Sequence, residues 1–190
     1  MSNTAPPEPP VLFGAAEIGD RVAQLGSEIT ASHPDGVVLV GVLKGCLLFL
    51  SDLARSIDSD VEVDLLAISR FAPDSGRVKL LKDIDTDISG RAVIVVEVVV
   101  DTGLSIGFLA GQLRRRGAST VEICTLLDKD SRRILPVELS YVGFRAPDSY
   151  LLGYGLDYEG RYRNLRDIVI GDLESLEDDP DFYVPLVYPG

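Results

Sequence analysis

The chain has 190 residues, 46% of them hydrophobic, which is enough for one buried core, and its formal net charge is −12. That charge argues against a nucleic-acid surface, which needs a basic face, but not against a small anionic substrate held by local cations. A single histidine, His33, and two cysteines, Cys46 and Cys124, lacking metal-ligand spacing argue against a zinc site or a His-based triad.

Both cysteines fall in apolar runs and read as small core residues. No apolar run reaches the roughly 18 residues that a membrane span needs. The first residues lack the charged and apolar regions of a signal peptide. The expectation is a cytoplasmic protein with neither membrane nor nucleic-acid partners.

Residues 1–13 open with MSNTAPPEPP and read as a flexible, Pro-rich tail. From about Gly14 to Thr30, the spacing of Ile18, Val22, Leu25 and Ile29 predicts a helix. GVVLVGVL reads as a buried strand, KGC as a turn and LLFLSDLARSI as a helix. VEVDLLAIS alternates as a strand, RFAPDSGR reads as a polar, flexible hairpin link, and VKLLKDID returns as a second strand. VIVVEVVVD is a further strand, followed by a helix over IGFLAGQLRRRG that closes at Gly117. TVEICTLLDK is the next strand, with polar DKDSRR after it. ELSYVGFRAP, YLLGYGLDY and DIVIGDL supply short strands, and the last residues are acidic and then apolar. Strands alternating with helices predict an α/β fold, a mostly parallel twisted sheet flanked by helices.

The most informative stretch is VIVVEVVVDTGLS. A buried strand gains nothing from a carboxylate, so Glu97 implies a partner or a purpose. Asp101, Thr102, Gly103, Leu104 and Ser105 follow at the strand end, where ligands of open α/β sheets bind. Gly103 permits close backbone approach, Thr102 and Ser105 bring hydroxyls, and the following helix presents free N–H groups, which together suit a phosphate. An ordinary strand–helix turn with an N-cap is an equal alternative from the turn alone; Glu97 tips the balance toward a ligand.

Strand-Glu, three apolar residues and then Asp-Thr-Gly resembles the phosphoribosyl pyrophosphate motif of type I phosphoribosyltransferases. GVLKGCLLFLSDLAR, VKLLKDID, LLDK and VGFRAPDSYLLGYGLDYEGRYRNL extend the resemblance, in order and spacing, to the hypoxanthine-guanine branch of that family. The resemblance implies a domain over residues 14–175, a C-terminal tail over 176–190, a small hood formed by terminal segments, and a lid over Phe71 to Arg77. It implies that Lys44 and Gly45 hold pyrophosphate, often through a cis peptide before the lysine. It implies that Glu97 faces ribose and metal, and that Thr102, Gly103, Leu104 and Ser105 cradle a phosphate of the substrate. Asp101 takes the role of proton acceptor, and Lys129 that of reader of the purine 6-oxo group. Tyr150 stacks on the base, Leu151 meets its exocyclic edge through the backbone, Asp157 binds Mg²⁺ together with Glu97, and Arg163 contacts pyrophosphate. On the residues alone, Lys129 reads as an exposed strand-end lysine, Tyr150 equally well as core, and Asp157 as a turn former. The implied partners are phosphoribosyl pyrophosphate, a purine base, and further copies of the chain in a dimer or tetramer.

The chain departs from the family pattern at two places. Val98 stands where the family has a second acid, and Arg70-Phe71 stand where its lid begins with Ser-Tyr. The first reading is therefore transfer of phosphoribose to hypoxanthine or guanine. A paralogue acting on another 6-oxopurine-like base and a weakly catalytic nucleotide-binding regulator remain open beside it. Val98→Asp is expected to restore a ribose contact, unless Val98 is packed in a dry site.

Overall fold

The computed structural model describes residues 7–69 and 79–188, which divide into two compact units. Strand β1 (Val11–Phe13) belongs to the smaller unit, and helix α1 (Ala15–Ser32) continues from it into the larger. The larger unit, Gly19–Asp148, goes on through β2 (Val37–Leu43), α2 (Leu47–Arg55), β3 (Val61–Ile68), β4 (Leu80–Lys82), β5 (Ala92–Val100), α3 (Leu104–Arg115), β6 (Thr120–Asp128) and β7 (Tyr141–Arg145). Its six strands run in the order β4-β3-β2-β5-β6-β7. All neighbours are parallel except β4, which is antiparallel to β3. This is the mostly parallel sheet that the alternation of strands and helices predicts.

The helix spacing read in α1 is the spacing of burial: Ile18, Val22, Leu25 and Ile29 are all buried. Arg21 ties this helix to the sheet by donating from Nε and Nη2 to the carbonyls of Gly143 and Val142. In α2, Phe49, Leu50 and Leu53 are buried, and the helix packs on β2 and β5. That approach needs Gly41, since a Cβ there would lie 2.5 Å from Leu50 Cδ2. On the other face, α3 contributes Ile106, Leu109, Ala110 and Leu113 to a core shared with Val38 and Val40 of β2, Val93 and Val95 of β5, and Val121 and Ile123 of β6. Cys46 and Cys124 are buried and free, as small core residues.

Strand β4 is shorter than the run VKLLKDID suggested. Ala67 and Ile68 pair with Lys82 and Leu80. Beyond them the chain turns to Asp64, whose Oδ2 accepts from the N–H groups of Asp85 and Thr86 at 2.8 Å each. Lys82 Nζ donates to the Leu65 and Asp83 carbonyls, which closes the turn. The hairpin link and lid expected over Phe71 to Arg77, with Arg70, lie outside the described residues.

The smaller unit comprises residues 7–18 and 149–188 of the described chain. Strands β8 (Tyr150–Leu152) and β9 (Ile168–Gly171) pair antiparallel, and β1 adds to the far side of β9. Val11–Phe13, read in the sequence as part of the tail, is thus held by a sheet. Helices α4 (Leu173–Asp178) and α5 (Val184–Val187) follow. Their segment is part of this unit's core: Leu176 and Tyr183 pack with Leu152, Tyr162 and Val169. Tyr162 Oη donates to the Pro180 carbonyl at 2.7 Å and accepts from the Tyr183 N–H, while Tyr183 Oη accepts from the Asp172 N–H. Among the described residues, no helix is long and apolar enough to cross a membrane.

Val98 is 2% exposed. Successive residues of a strand point to opposite faces, so Val98 lies on the face opposite Glu97, with Ile94 and Val96, which are fully buried. An acid at this position meets apolar packing, the condition of the dry-site alternative. Val98→Asp is expected to destabilise the fold by about 3 kcal/mol, through an uncompensated buried polar group. Thermal melts beside a Val98→Ala control check this: the aspartate variant melts well below the alanine variant, and equal midpoints would contradict the assignment.

Candidate active site

The carboxyl ends of β2, β3 and β5 and the start of α3 enclose a cavity of about 260 Å³, lined among others by Leu43, Ser69, Glu97, Asp101, Thr102 and Ser105. Each wall follows from local sequence. Strand β5 stops at Val100 because the next three residues turn. Gly103 caps α3 in the left-handed region, with φ of 83°. A side chain there would be strained, and its Cβ would clash with the Leu135 carbonyl oxygen. Gly103 offers α3 no side-chain cap; the Leu104 N–H donates to Thr102 Oγ1 at 3.4 Å, at an opening lined by Thr102, Gly103 and Ser105. The turn expected from the sequence to cradle an anion thus lies at the wall of this cavity.

Glu97 lines the same cavity and is partly buried. Its carboxylate accepts from the Val98 N–H at 2.9 Å. Burial outweighs that bond and pushes its pKa up to about 8, so the group is protonated at neutral pH in the free chain. Cys46 lies close enough to feel it: the thiol is pushed up to about 12, first by burial and then by the Glu97 charge. The end of β2 is thus beside the acid of β5. Here the Leu43–Lys44 peptide is cis, as the resemblance implies for the pyrophosphate loop, and Lys44 is exposed. Gly45 follows in the turn that leads to α2, closed by the bond from the Leu47 N–H to the Lys44 carbonyl.

The loop after β6 is fastened to the Asp101–Gly103 turn. Lys129 N–H donates to the Val100 carbonyl, Arg133 Nε to the Asp101 carbonyl, and the N–H groups of Ile134 and Leu135 both to the Thr102 carbonyl, all within 2.9–3.0 Å. Arg133 is also paired with the Asp128 carboxylate. Lys129 is 8% exposed, and its pKa is lowered chiefly by burial, against which the Asp101 charge works. The exposed lysine expected from the residues alone is thereby replaced by a buried cation beside Asp101. Asp101 itself has Oδ1 shielded from solvent; this oxygen lies 3.1 Å from Arg132 Nε without the alignment of a hydrogen bond.

Arg132 and Arg133 were not singled out in the sequence, where DKDSRR reads only as a polar connection. Two consecutive arginines shortly after a strand end, beside Asp128, Lys129 and Asp130, were the available signal.

The remaining site residues belong to the smaller unit. Tyr150 is partly buried, donates from Oη to the Asp157 carbonyl at 2.9 Å, and meets Tyr158 edge-on. Leu151 is buried and pairs with Ile170 in the sheet. Asp157 Oδ1 is paired with Arg163 Nη2 at 2.8 Å, and its Oδ2 accepts from the Gly160 N–H at 2.7 Å. Arg163 Nη1 also donates to the Gly155 carbonyl. The loop that carries these groups uses positive φ at Gly153, Tyr154, Gly155, Glu159, Gly160 and Tyr162. Among the described residues, no cluster of three His, Cys, Asp or Glu side chains is placed to hold a metal ion.

Residues 14–159 match the phosphoribosyl transferase domain family. A hypoxanthine-guanine phosphoribosyltransferase of Bacillus subtilis is 42% identical over 159 residues, 82% of this chain and 88% of that protein. One from Mycobacterium avium is 41% identical over 174 residues, 86% of this chain and 85% of that protein. A solved structure of a hypoxanthine-guanine phosphoribosyltransferase from Bacillus anthracis superposes with a TM-score of 0.83 at 37% identity, over 85% of this chain and 98% of that one. With this fold and relatives of that closeness along most of its length, the chain belongs to the phosphoribosyl transferase family, in its hypoxanthine-guanine phosphoribosyltransferase branch.

Proposed function

We propose that the protein transfers the 5-phosphoribosyl group of phosphoribosyl pyrophosphate to hypoxanthine or guanine and releases pyrophosphate, a purine-salvage reaction. The observation that carries this reading is the direct fastening of the Lys129 loop to the Asp101–Gly103 turn. It couples a buried cation suited to a 6-oxo group with a cradle suited to a sugar phosphate.

In this reading the 5-phosphate sits at the α3 N-terminus, held by free N–H groups there and by the Thr102 and Ser105 hydroxyls, with Leu104 contributing through its backbone. Gly103 lets the backbone approach the phosphate. Lys44 and the Gly45 N–H neutralise the leaving pyrophosphate, and Arg163 carries the same role from its own loop. A purine ring nitrogen bonds to the anomeric carbon as the bond to pyrophosphate breaks, through an oxocarbenium-like state. The ring proton passes to Asp101, whose shielded Oδ1 has no aligned hydrogen-bond donor. Lys129 donates to the 6-oxo oxygen, Tyr150 offers a ring face, and the Leu151 backbone meets the exocyclic edge. No covalent nucleophile is required.

Mg²⁺ is the cofactor that the family resemblance implies. The residues fit it in an unequal way. Glu97 is an acid held neutral by burial with one N–H donor on its carboxylate, and a nearby cation favours ionisation of such a group. Asp157 is already paired with Arg163, so a cation at Asp157 would share the carboxylate with it. When bound, Mg²⁺ supplies charge neutralisation of pyrophosphate through a few carboxylates, waters and the substrate's own oxygens. A homo-oligomer, dimer or tetramer, and a cytoplasmic location complete the proposal.

The function is tested by turnover of a panel of bases with phosphoribosyl pyrophosphate. Hypoxanthine and guanine are expected to be substrates. Adenine is expected to be poorer by several orders of magnitude in kcat/KM, because its 6-amino group offers Lys129 no acceptor (~10⁴-fold for a site built around a buried donor). Comparable turnover of adenine would refute the role of Lys129. Asp101→Asn is expected to keep the fold and lower kcat by about 10²–10⁴-fold, the usual worth of general-base help. A fall of less than about threefold with hypoxanthine, measured in single turnovers so that chemistry is observed, would remove Asp101 from that role.

A further inference from the structure

Arg133 stands just past the short 3-10 turn, Asp130–Arg132, that follows β6. Its guanidinium is held from two sides. Nη2 is paired with the carboxylate of Asp128, the last residue of β6, and Nε donates to the Asp101 carbonyl at 3.0 Å. The side chains of the ion pair are only 16% and 15% exposed, so salt screens it little. Asp128 is itself fixed: it lies between Val100 of β5 and Arg145 of β7 in the sheet, and its carbonyl accepts from the Ala146 N–H. The stem of Arg133 runs along the turn, since a Cβ on Gly103 would lie 3.0 Å from Arg133 Cδ. Arg133 is therefore a strut between a strand end of the sheet and one peptide of the Asp101–Gly103 turn.

That peptide has a second end. Among the described residues the cis peptide is Leu43–Lys44 alone, so Asp101–Thr102 is trans, and a planar trans peptide aims its N–H opposite to its C=O. With the Asp101 carbonyl turned to Arg133, the Thr102 N–H points away from the loop after β6. The Thr102 carbonyl, taken by the Ile134 and Leu135 N–H groups, turns the Gly103 N–H the same way. The cavity lies on that side of the turn: Asp101, Thr102 and Gly103 line it, and no described residue of the loop after β6 does. Among the described residues, neither of these two N–H groups has an acceptor. Successive N–H groups beside a residue in the left-handed region form an anion-binding concavity, and Gly103 has φ of 83°. We propose that Arg133 is a positioning residue for the ribose phosphate of the substrate: by holding the Asp101 carbonyl against Asp128, it aims the Thr102 N–H into the cavity. Its own charge stays outside the cavity, which it does not line. This rests on the reading of the turn as the cradle of the 5-phosphate.

The test uses the full-length protein in the reverse reaction, in which inosine 5′-monophosphate and pyrophosphate give hypoxanthine and phosphoribosyl pyrophosphate. The first ligand carries the ribose phosphate; the second sits, in the same reading, at Lys44 and Gly45. Arg133→Met keeps a stem against Gly103 and removes every donor. It is expected to raise KM for inosine 5′-monophosphate about tenfold, the worth of roughly one hydrogen bond to an ionised group, and to move KM for pyrophosphate less than about twofold. Arg133→Lys keeps a cation for Asp128 without the planar fork that reaches two acceptors at once, so the same selective rise is expected at about threefold. It is the variant to read if thermal melts show that Arg133→Met does not fold. A folded variant in which both KM values rise alike would leave Arg133 a scaffold role only and overturn the proposal, as would a folded variant with both at the parent values. If the parent protein does not turn over inosine 5′-monophosphate with pyrophosphate, the functional reading falls and takes the inference with it. If the parent does so and neither variant shows the selective rise, the inference alone falls.

Discussion

The site depends on one constraint: the loop after β6 and the turn after β5 are a single hydrogen-bonded piece. The carbonyls of Val100, Asp101 and Thr102 all accept from the Lys129–Leu135 segment. Gly103 fits beneath the Leu135 carbonyl only because it has no Cβ. A helix N-terminus on its own is a common feature of α/β proteins. Fastened to a loop that buries a lysine, it is, in the proposed reading, a place where an anion and a polar ring edge are held at a fixed separation. Backbone acceptors satisfied in this way also let the turn be partly buried without unpaired carbonyls.

Charge acts locally against the mean. The chain carries a formal charge of −12, yet the cations Lys129, Arg132 and Arg133 gather within one connection. Arg133 holds the backbone of the turn, Arg132 holds side-chain carboxylates, and Lys129 is buried beside Asp101. Glu97 is the complementary case, an acid whose pKa burial pushes up to about 8. An acid with displaced protonation lining a cavity is what a candidate binding site looks like in physical terms.

Much of this was legible in the sequence, for identifiable reasons. The spacing of Ile18, Val22, Leu25 and Ile29 reports the buried face of α1 because helix burial is periodic. The runs at β2, β5 and β6 read as strands because both faces of a parallel sheet are covered. Glu97 and the Asp101–Ser105 turn stood out because acids and Gly are costly where they serve no purpose. What was not legible depends on partners remote in sequence. VKLLKDID shortens to β4 because Asp64, some 20 residues earlier, captures the backbone of Asp85 and Thr86. The C-terminal segment reads as an acidic tail, but Tyr183 finds Tyr162 and Leu152 only once the smaller unit has formed. The dryness around Val98 requires knowing which face of β5 meets the cavity. Arg132 and Arg133 were invisible as site residues because their acceptors are backbone carbonyls of another turn and carboxylates of other segments.

The most direct test of the coupled turn and loop is the affinity of Gly103→Ala for phosphoribosyl pyrophosphate, measured by calorimetry with Mg²⁺ present. An alanine must adopt φ near 83° and displace the Leu135 carbonyl, so the cradle and the Lys129 loop cannot both keep their positions. The account predicts a folded variant whose affinity falls by at least about tenfold, equivalent to 1.4 kcal/mol. A folded variant that binds phosphoribosyl pyrophosphate as tightly as the parent protein would contradict it.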